Sequence, residues 1–133
     1  MTKPIFVDTG FFLAILNPRD KYHQAAKAAS ANLLRKLITS EAVLLEIGDG
    51  LAKLSYRHVA SAFLHSVRLD SELEIVPMSS ALLADAIDLF SKRADKEWGL
   101  TDCTSFVIMQ QRGIQDVLAT DRHFDQAGFV RLL

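Results

Sequence analysis

The sequence IFVDTG at residues 5–10 places an acid, Asp8, directly after three β-favouring apolar residues. Such a run predicts a short strand that is buried on both faces. Thr9 and Gly10 then allow the chain to turn, and the apolar segment FFLAIL that follows predicts a helix from Gly10 to Leu16. Ligands gather at the carboxyl ends of strands in α/β sheets. Because an unpaired carboxylate is costly to desolvate there, we expect Asp8 to have a partner.

The composition limits the classes of protein to which the chain can belong. A chain of 133 residues with 50% hydrophobic and 23% charged residues predicts one globular domain, residues 1–133. The net charge of −1 argues against a protein that holds nucleic acid chiefly through a large basic face. Cys103 is the only cysteine, which excludes a disulfide framework and a cysteine-based zinc site. The lone cysteine fits a reducing cytoplasm, and no apolar run reaches the roughly 18–20 residues that cross a bilayer.

Apolar and small residues at helical spacing predict five further helices. They are expected at residues 22–37, from Ala42 towards Lys53, at residues 57–69, from Ser79 or Ser80 through Ala94, and from Thr101 or Asp102 to Gly113. Asp20 and Ser40 are the expected caps of the first two of these helices. Short strands are predicted at residues 38–39, 73–77, 116–120 and 129–133. Strands separated by helices require crossover connections, so the sequence predicts an α/β sandwich with a parallel sheet.

Four carboxylates lie at positions where the hydrophobic pattern of the sequence predicts few charged residues. Asp8 and Asp121 each follow an apolar strand, Asp102 lies at a helix start, and Glu46 lies within the apolar segment AVLLEI at residues 42–47. Each has a structural explanation taken singly. Asp102 is a favoured helix cap, Asp121 fits a turn or a cap, Glu46 fits the polar side of a helix, and Asp8 fits a bond to a helix N-terminus.

Together the four acids suggest chemistry. Carboxylates that converge on one sheet edge repel each other, and a cation or shifted pKa values would relieve that repulsion. Hard oxygen ligands of this kind suit Mg²⁺ or Mn²⁺. Such an ion activates water and stabilises developing charge on a phosphoryl group. The pattern therefore indicates metal-assisted phosphodiester hydrolysis, which needs no nucleophilic serine or cysteine.

The same acids carry a family resemblance. The segments VDT at residues 7–9, LLE at 44–46, LTDC at 100–103 and TDRHF at 120–124 resemble, in order, the four acidic motifs of the PIN domain. The particular similarity is to toxin ribonucleases of the VapC type, and it spans essentially the whole chain. Residues 48–50, Gly-Asp-Gly, depart from the helix formers that are commoner after the glutamate, which puts the local helix geometry in question.

This resemblance implies a PIN-like three-layer sandwich, with a short, mostly parallel central sheet flanked by helices. It implies an endonuclease for single-stranded RNA that uses Mg²⁺ or Mn²⁺, the toxin of a toxin–antitoxin pair. It further implies a homodimer and a small antitoxin protein that blocks the site. The implied catalytic and metal-binding residues are Asp8, Glu46, Asp102 and Asp121, with Thr9 and Thr101 as supporting hydroxyls and Asp125 as an additional acid.

Several other residues near the acids fit structural roles better than functional ones. His123 lies beside Asp121, but the pattern favours a structural role for it. Trp98 fits a core anchor better than a platform for base stacking, and Cys103 is expected to pack as a small apolar residue. Basic side chains that are candidates for contact with RNA phosphates are Arg122 and Lys21, followed by Lys3, Arg19, Arg93 and Lys96.

Four alternative functions remain open at this stage. A PIN-domain nuclease outside toxin systems has the same motifs, and a catalytically silent PIN-like binding module would be expected to lack some of the acids. The tripeptide Asp8-Thr9-Gly10 also resembles the signature of aspartic proteases, although those proteins are all-β. A phosphatase for small phosphoesters is disfavoured because glycine at position 10 leaves no Asp-x-Asp at the first strand.

Overall fold

The computed structural model describes residues 3–31 and 33–133, in which seven helices surround a five-stranded sheet. The strands are β1 (Ile5–Val7), β2 (Leu37–Ser40), β3 (Leu73–Val76), β4 (Asp116–Leu118) and β5 (Val130–Arg131). The helices are α1 (Thr9–Leu16), α2 (His23–Ser30), α3 (Glu41–Gly50), α4 (Leu54–Val67), α5 (Ser80–Lys92), α6 (Leu100–Arg112) and α7 (His123–Gln126). The predicted α/β architecture is confirmed.

The sheet has the order β3-β2-β1-β4-β5, and all four neighbouring pairs of strands are parallel. Phe6 of β1 aligns with Ile38 of β2 on one side and with Val117 of β4 on the other. Every residue of β1 is 0% exposed, as predicted for a strand buried on both faces. Because parallel strands end at the same edge, the residues that follow β1 and β4 lie side by side.

An aromatic cluster fixes the positions of α6 and α7 relative to each other. Trp98, Phe106, Phe124 and Phe129 form it, with ring centroids 4.9 Å apart for Trp98 and Phe106 and 5.0 Å apart for Phe106 and Phe124. Edge-to-face pairs of this kind add stability beyond the apolar area that they bury. The cluster therefore holds the start of α6 and the short helix α7 in a fixed relation.

The predicted helix at residues 22–37 is wrong in extent. Helix α2 ends at Ser30, Leu37 already belongs to β2, and Asn32 lies outside the described residues. Tertiary contacts override the helical spacing here: the side chain of Arg35 donates to the carbonyl of Lys3 and pairs with Asp116 at 2.7 Å. These contacts hold the segment before β2 against the sheet.

Helix starts were predicted with mixed success. The Ser40 hydroxyl accepts from the backbone N–H of Val43 at 3.2 Å, which confirms it as the cap of α3. Helix α4 begins at Leu54, earlier than predicted. Asp20 accepts from the N–H of Tyr22 and forms the turn before α2, so it is not the N-cap. Helix α6 begins at Leu100 after Gly99, which places Asp102 inside its first turn.

The start of α5 and the end of α6 agree with the sequence, whereas the last two strands do not. The Ser79 hydroxyl caps α5, and Gly113 ends α6 with a positive φ of 64°, a conformation that favours glycine. Strands β4 and β5 are shorter than the predicted 116–120 and 129–133. Within the described ranges, no helix combines the length and the apolar character needed to cross a membrane.

Candidate metal site

Asp8 lies at the carboxyl end of β1, and its backbone N–H donates to the carbonyl of Leu118 in β4 at 3.0 Å. The residue is 5% exposed, and its Oδ1 atom is buried without a hydrogen-bond partner among the described residues. Burial raises the pKa of the Asp8 carboxyl to about 7. The backbone N–H of Thr9 lowers this pKa, while the charges of Asp102, Glu46 and Asp121 raise it. The four acids therefore share one electrostatic environment, here called the acid cluster.

Glu46 joins the acid cluster through Thr9. The Thr9 hydroxyl donates to Glu46 Oε1 at 2.6 Å, which links the start of α1 to the middle of α3. Glu46 itself is exposed, as is Leu45 beside it, whereas Val43 and Ile47 are buried. The apolar segment around Glu46 therefore does not bury it: α3 turns this side of the helix toward solvent, as expected for a residue on the polar side of a helix.

Asp102 lies in the first turn of α6. Its Oδ2 atom accepts from the backbone N–H of Gly99 at 3.1 Å, so it helps to satisfy the free donors at the helix start. The same oxygen lies 2.8 Å from Nδ1 of His123. Asp102 is therefore not the N-cap of α6, which is Gly99; it is the third helical residue, and its Oδ2 atom lies between the helix start and His123.

Asp121 follows β4, where the chain turns into α7. Its Oδ1 atom accepts from the backbone N–H of His123 at 2.9 Å. The neighbouring Thr120 approaches α1 so closely that a Cβ atom on Gly10 would overlap its hydroxyl oxygen. Glycine at position 10 therefore allows the start of α1 to lie against the end of β4, which brings Asp8 and Asp121 together.

His123 is the residue that the sequence interpretation set aside. Its Nδ1 atom lies 2.8 Å from Asp102 Oδ2 and 3.3 Å from Asp121 Oδ2. Burial lowers the pKa of the imidazole, but the hydrogen bond with Asp102 and the charges of Asp121, Asp102 and Glu97 raise it above its ordinary value. Its position two residues after Asp121 was the only signal in the sequence, and the contact with Asp102 spans 21 residues.

The arrangement fits a divalent cation. Asp102, Asp121 and His123 each offer a ligand atom, and these atoms lie within 4.8 Å of one another. Asp8 adds a buried carboxylate oxygen that has no donor among the residues described. Oxygen-rich sets with one or two carboxylates suit Mg²⁺ or Mn²⁺, and such an ion would relieve the desolvation of Asp8.

The other predicted residues lie in different surroundings. The carbonyl of Thr101 accepts a hydrogen bond from the Thr104 hydroxyl. Among the described residues, the Thr101 hydroxyl makes no hydrogen bond with an acid. Asp125 pairs with Arg131 at 3.1 Å and is not among the three clustered ligand residues. Arg122 is exposed at the start of α7, and the exposed Lys21 stacks over the ring of Tyr22.

Trp98 and Cys103 have the structural roles that were expected. Trp98 is buried against Phe106, and its Nε1–H donates to Gln126 at 2.9 Å, so its ring anchors α6 to α7. Cys103 is fully buried next to Asp102. The Asp-Thr-Gly tripeptide joins a strand of a parallel sheet to a helix. This α/β fold differs from the all-β fold of the aspartic proteases.

Comparisons with known proteins agree with this architecture. The family model described as "PIN domain" matches residues 5–130. The chain is 32% identical over 130 residues to the 23S rRNA-specific endonuclease VapC20 of Mycobacterium tuberculosis, covering 96% of this chain and 97% of that protein. The crystal structure of M. tuberculosis VapC20, described as a Sarcin-Ricin loop cleaving toxin, matches with a TM-score of 0.90 and 31% identity, covering 96% of this chain and 98% of that one.

More distant structures share the fold. FitAcB from Neisseria gonorrhoeae matches with a TM-score of 0.66 and 20% identity, covering 96% of this chain and 94% of that one. VapBC2 from Rickettsia felis, bound to a DNA fragment from their promoter, matches with a TM-score of 0.66 and 15% identity, covering 96% of each chain. At these identities the likeness concerns the fold alone.

Proposed function

Because this chain belongs to the PIN domain family, we propose that it is a metal-dependent endoribonuclease that hydrolyses phosphodiester bonds in single-stranded RNA, the toxin of a toxin–antitoxin pair. The observation that carries the proposal is Asp8, a buried carboxylate with an unpartnered oxygen beside three other acids. A fold alone hosts many functions, whereas this constellation favours a bound cation and the chemistry that it brings.

In the proposed mechanism, Asp8, Asp102 and Asp121 would hold the ion through their carboxylate oxygens. A divalent ion at this place would supply a Lewis acid for the phosphoryl oxygen and a more acidic water as nucleophile. Glu46 is exposed at the rim, and the Thr9 hydroxyl fixes one of its oxygens. Its other oxygen would accept the proton that the water gives up.

Substrate delivery depends on few basic side chains. The net charge of −1 supplies little general attraction for phosphates, so the ion itself and exposed basic side chains would bring the RNA to the acid cluster. Arg122, which follows Asp121 directly, is the first candidate, and Lys21 is the second. VapC20 is named as an endonuclease specific for 23S rRNA. Identity of 32% across 96% of this chain makes large ribosomal RNA the first substrate to test.

The proposed assembly includes a second copy of the chain and an antitoxin. The outer face of α5 carries Leu83, Ile87 and Phe90, which are 39%, 46% and 50% exposed. These side chains are spaced four and three residues apart, so they form one apolar stripe along the helix. Two copies that pair through this stripe about a two-fold axis would cover it on both chains. The antitoxin partner follows from the proposed role as a toxin.

The deciding experiment is cleavage of RNA by the purified protein. We expect single-stranded RNA and 23S rRNA to be cut when Mg²⁺ or Mn²⁺ is present and to remain intact in EDTA. Asp8→Asn and Asp102→Asn are expected to reduce the rate by at least roughly a hundredfold, because each removes a charged ligand. Circular dichroism would verify that both variants are folded. Cleavage that persists in both variants, or that ignores EDTA, would exclude the proposed site.

A further inference from the structure

His123 makes three polar contacts with two members of the acid cluster. Its backbone N–H donates to Asp121 Oδ1 at 2.9 Å, and its Nδ1 atom lies 2.8 Å from Asp102 Oδ2 and 3.3 Å from Asp121 Oδ2. Asp102 and Asp121 belong to separate elements, the first turn of α6 and the turn after β4. His123 is therefore the residue that joins these two acids to each other.

The contacts determine which carboxylate oxygens remain available. Asp102 Oδ2 receives two donors, the N–H of Gly99 and the ring of His123. Asp102 Oδ1 has no hydrogen-bond donor within the described part of the chain. On Asp121, Oδ1 accepts the short backbone bond, whereas Oδ2 makes only the longer 3.3 Å contact. Asp102 thus has one oxygen that is held and one without a donor, whereas Asp121 has one oxygen in a short hydrogen bond and one in a longer contact.

Packing fixes His123 in this position. It is the first residue of α7, and the next residue, Phe124, is 0% exposed and packs edge-on against Phe106. Phe106 lies one turn beyond Asp102 on α6, so the aromatic cluster holds the histidine and its partner acid on one rigid support. Gln126, which accepts from Trp98, adds a second tie between α7 and the segment before α6.

We propose that His123 is a positioning residue that orients the carboxylates of Asp102 and Asp121 toward a shared divalent ion. This inference rests on the proposed metal site. Separate support comes from Asp8, whose buried Oδ1 has no donor among the described residues and whose carboxyl group lies close enough to be affected by the charges of Asp102 and Asp121. Although His123 lies within ligand distance of the same place, its Nδ1 atom faces Asp102 Oδ2 at 2.8 Å and donates to that carboxylate. The histidine therefore acts behind the ligands and does not itself bind the ion. Residues in such a supporting layer set ligand geometry and strongly influence metal affinity.

The test is a calorimetric titration of the purified full chain with Mn²⁺. His123→Phe keeps the ring volume but removes the donor, and we expect it to lower the affinity for Mn²⁺ by about 10–100-fold. His123→Asn places an amide nitrogen where Nδ1 stands, and we expect it to retain affinity within roughly threefold of the wild type. His58→Phe is the matched control, since His58 is exposed on α4, and it should bind Mn²⁺ like the wild type.

The variants separate the competing explanations. Unchanged affinity in His123→Phe would overturn the positioning role. Equal losses in His123→Phe and His123→Asn would also overturn it, because they would mean that the imidazole nitrogen is itself a ligand. If His123→Phe does not fold, a loss of tenfold or more in folded His123→Asn is sufficient to reject the role. Absence of Mn²⁺ binding by the wild type, or full binding by Asp8→Asn, would instead reject the metal site on which the inference rests.

The rate of RNA cleavage offers a second readout. If His123 acts only through the carboxylates, raising the Mn²⁺ concentration should restore the rate of His123→Phe toward that of the wild type. A rate that stays low at saturating Mn²⁺ would show that the histidine contacts the RNA or the reacting atoms, which contradicts the positioning role.

Discussion

The carboxyl group of Asp8 has a pKa of about 7, raised from 3.8 chiefly by burial. In the unfolded chain this acid ionises near its ordinary pKa, whereas in the folded protein it keeps its proton until near neutrality. Its contribution to stability is therefore complete below about pH 4 and is lost as the pH rises toward about 7. Above that range the ionised group destabilises the metal-free fold by an amount on the order of a few kcal/mol.

Asp8→Asn is accordingly expected to stabilise the metal-free protein. In EDTA at pH 8 the variant should have a higher melting temperature than the wild type, because asparagine carries no charge to desolvate. At pH 5 the advantage should shrink, since the wild-type carboxyl is then protonated in the folded state. Thermal denaturation of both proteins at the two pH values measures the difference.

Added Mn²⁺ provides the control for this prediction. The ion should raise the melting temperature of the wild type at pH 8 and have little effect on Asp8→Asn. An advantage of the variant that is equal at pH 5 and pH 8 would contradict the assigned pKa. A variant less stable than the wild type at both pH values would show that Asp8 has a favourable partner in the folded state.

Single residues were predictable where the local sequence determines their environment. Asp8 follows an apolar strand, and Ser40 and Gly113 occupy helix ends that their residue types favour. The exposure of Glu46 did not follow from its apolar segment, since its surroundings depend on how α3 lies against the rest of the fold. The role of His123 was not predictable, because its partner Asp102 becomes a neighbour only in the folded chain.

At the level of elements, the contact between α1 and the end of β4 depends on Gly10. Gly10→Ala would place a methyl group on the hydroxyl of Thr120, and no positive φ is involved, so the cost is purely steric. We expect a loss of about 1–3 kcal/mol in the free energy of unfolding. Thr120→Ala should restore most of this loss in the double variant, because it removes the overlapping oxygen. Denaturant unfolding of the two single variants and the double variant gives the coupling energy.

Gly48→Ala is the control for the Gly10 experiment. A Cβ atom at this position of α3 would meet only Leu64 at an ordinary 3.7 Å. The substitution should therefore stabilise the protein by up to about 1 kcal/mol through helix propensity. If Gly10→Ala were equally harmless, the close approach of α1 to Thr120 would not be needed for the fold.

Element boundaries followed the sequence only where local signals determine them. Helix α5 is capped by Ser79, one of its two predicted starting residues, and α6 ends at the predicted glycine. The segment predicted to extend the second helix to residue 37 instead joins the sheet, because Arg35 finds partners at Lys3 and Asp116. Those partners lie 32 and 81 residues away in sequence, beyond the reach of periodicity.

For the whole molecule, the fold class was predictable because alternating strands and helices require crossover connections. The strand order β3-β2-β1-β4-β5 was not, since β1 pairs with β2 and β4 through contacts that short apolar strands do not specify. The convergence of the four acids followed from the parallel arrangement. Which acids are buried, and which histidine supports them, required the packed structure.

A substitution in the apolar stripe of α5 tests the proposed dimer. Ile87→Glu places a charge in the centre of the proposed interface, so we expect a dimer to become a monomer in size-exclusion chromatography with light scattering. Lys92→Gln, an exposed change near the end of the same helix, should leave the dimer intact. A wild-type protein that is already monomeric at micromolar concentration would reject this interface, as would a dimer that tolerates Ile87→Glu.

The hydrogen bond between Asp8 and Leu118 has a consequence for when the acid cluster forms during synthesis of the protein. Asp8 and Asp121 are 113 positions apart (121 − 8), and β4 is among the last strands to leave the ribosome. A nascent chain that ends at α5 contains Asp8 and Glu46 but lacks Asp102 and Asp121. The acid cluster is complete only after β4 inserts beside β1. Synthesis itself therefore delays the activity of a ribonuclease that is surrounded by ribosomal RNA from its first residue.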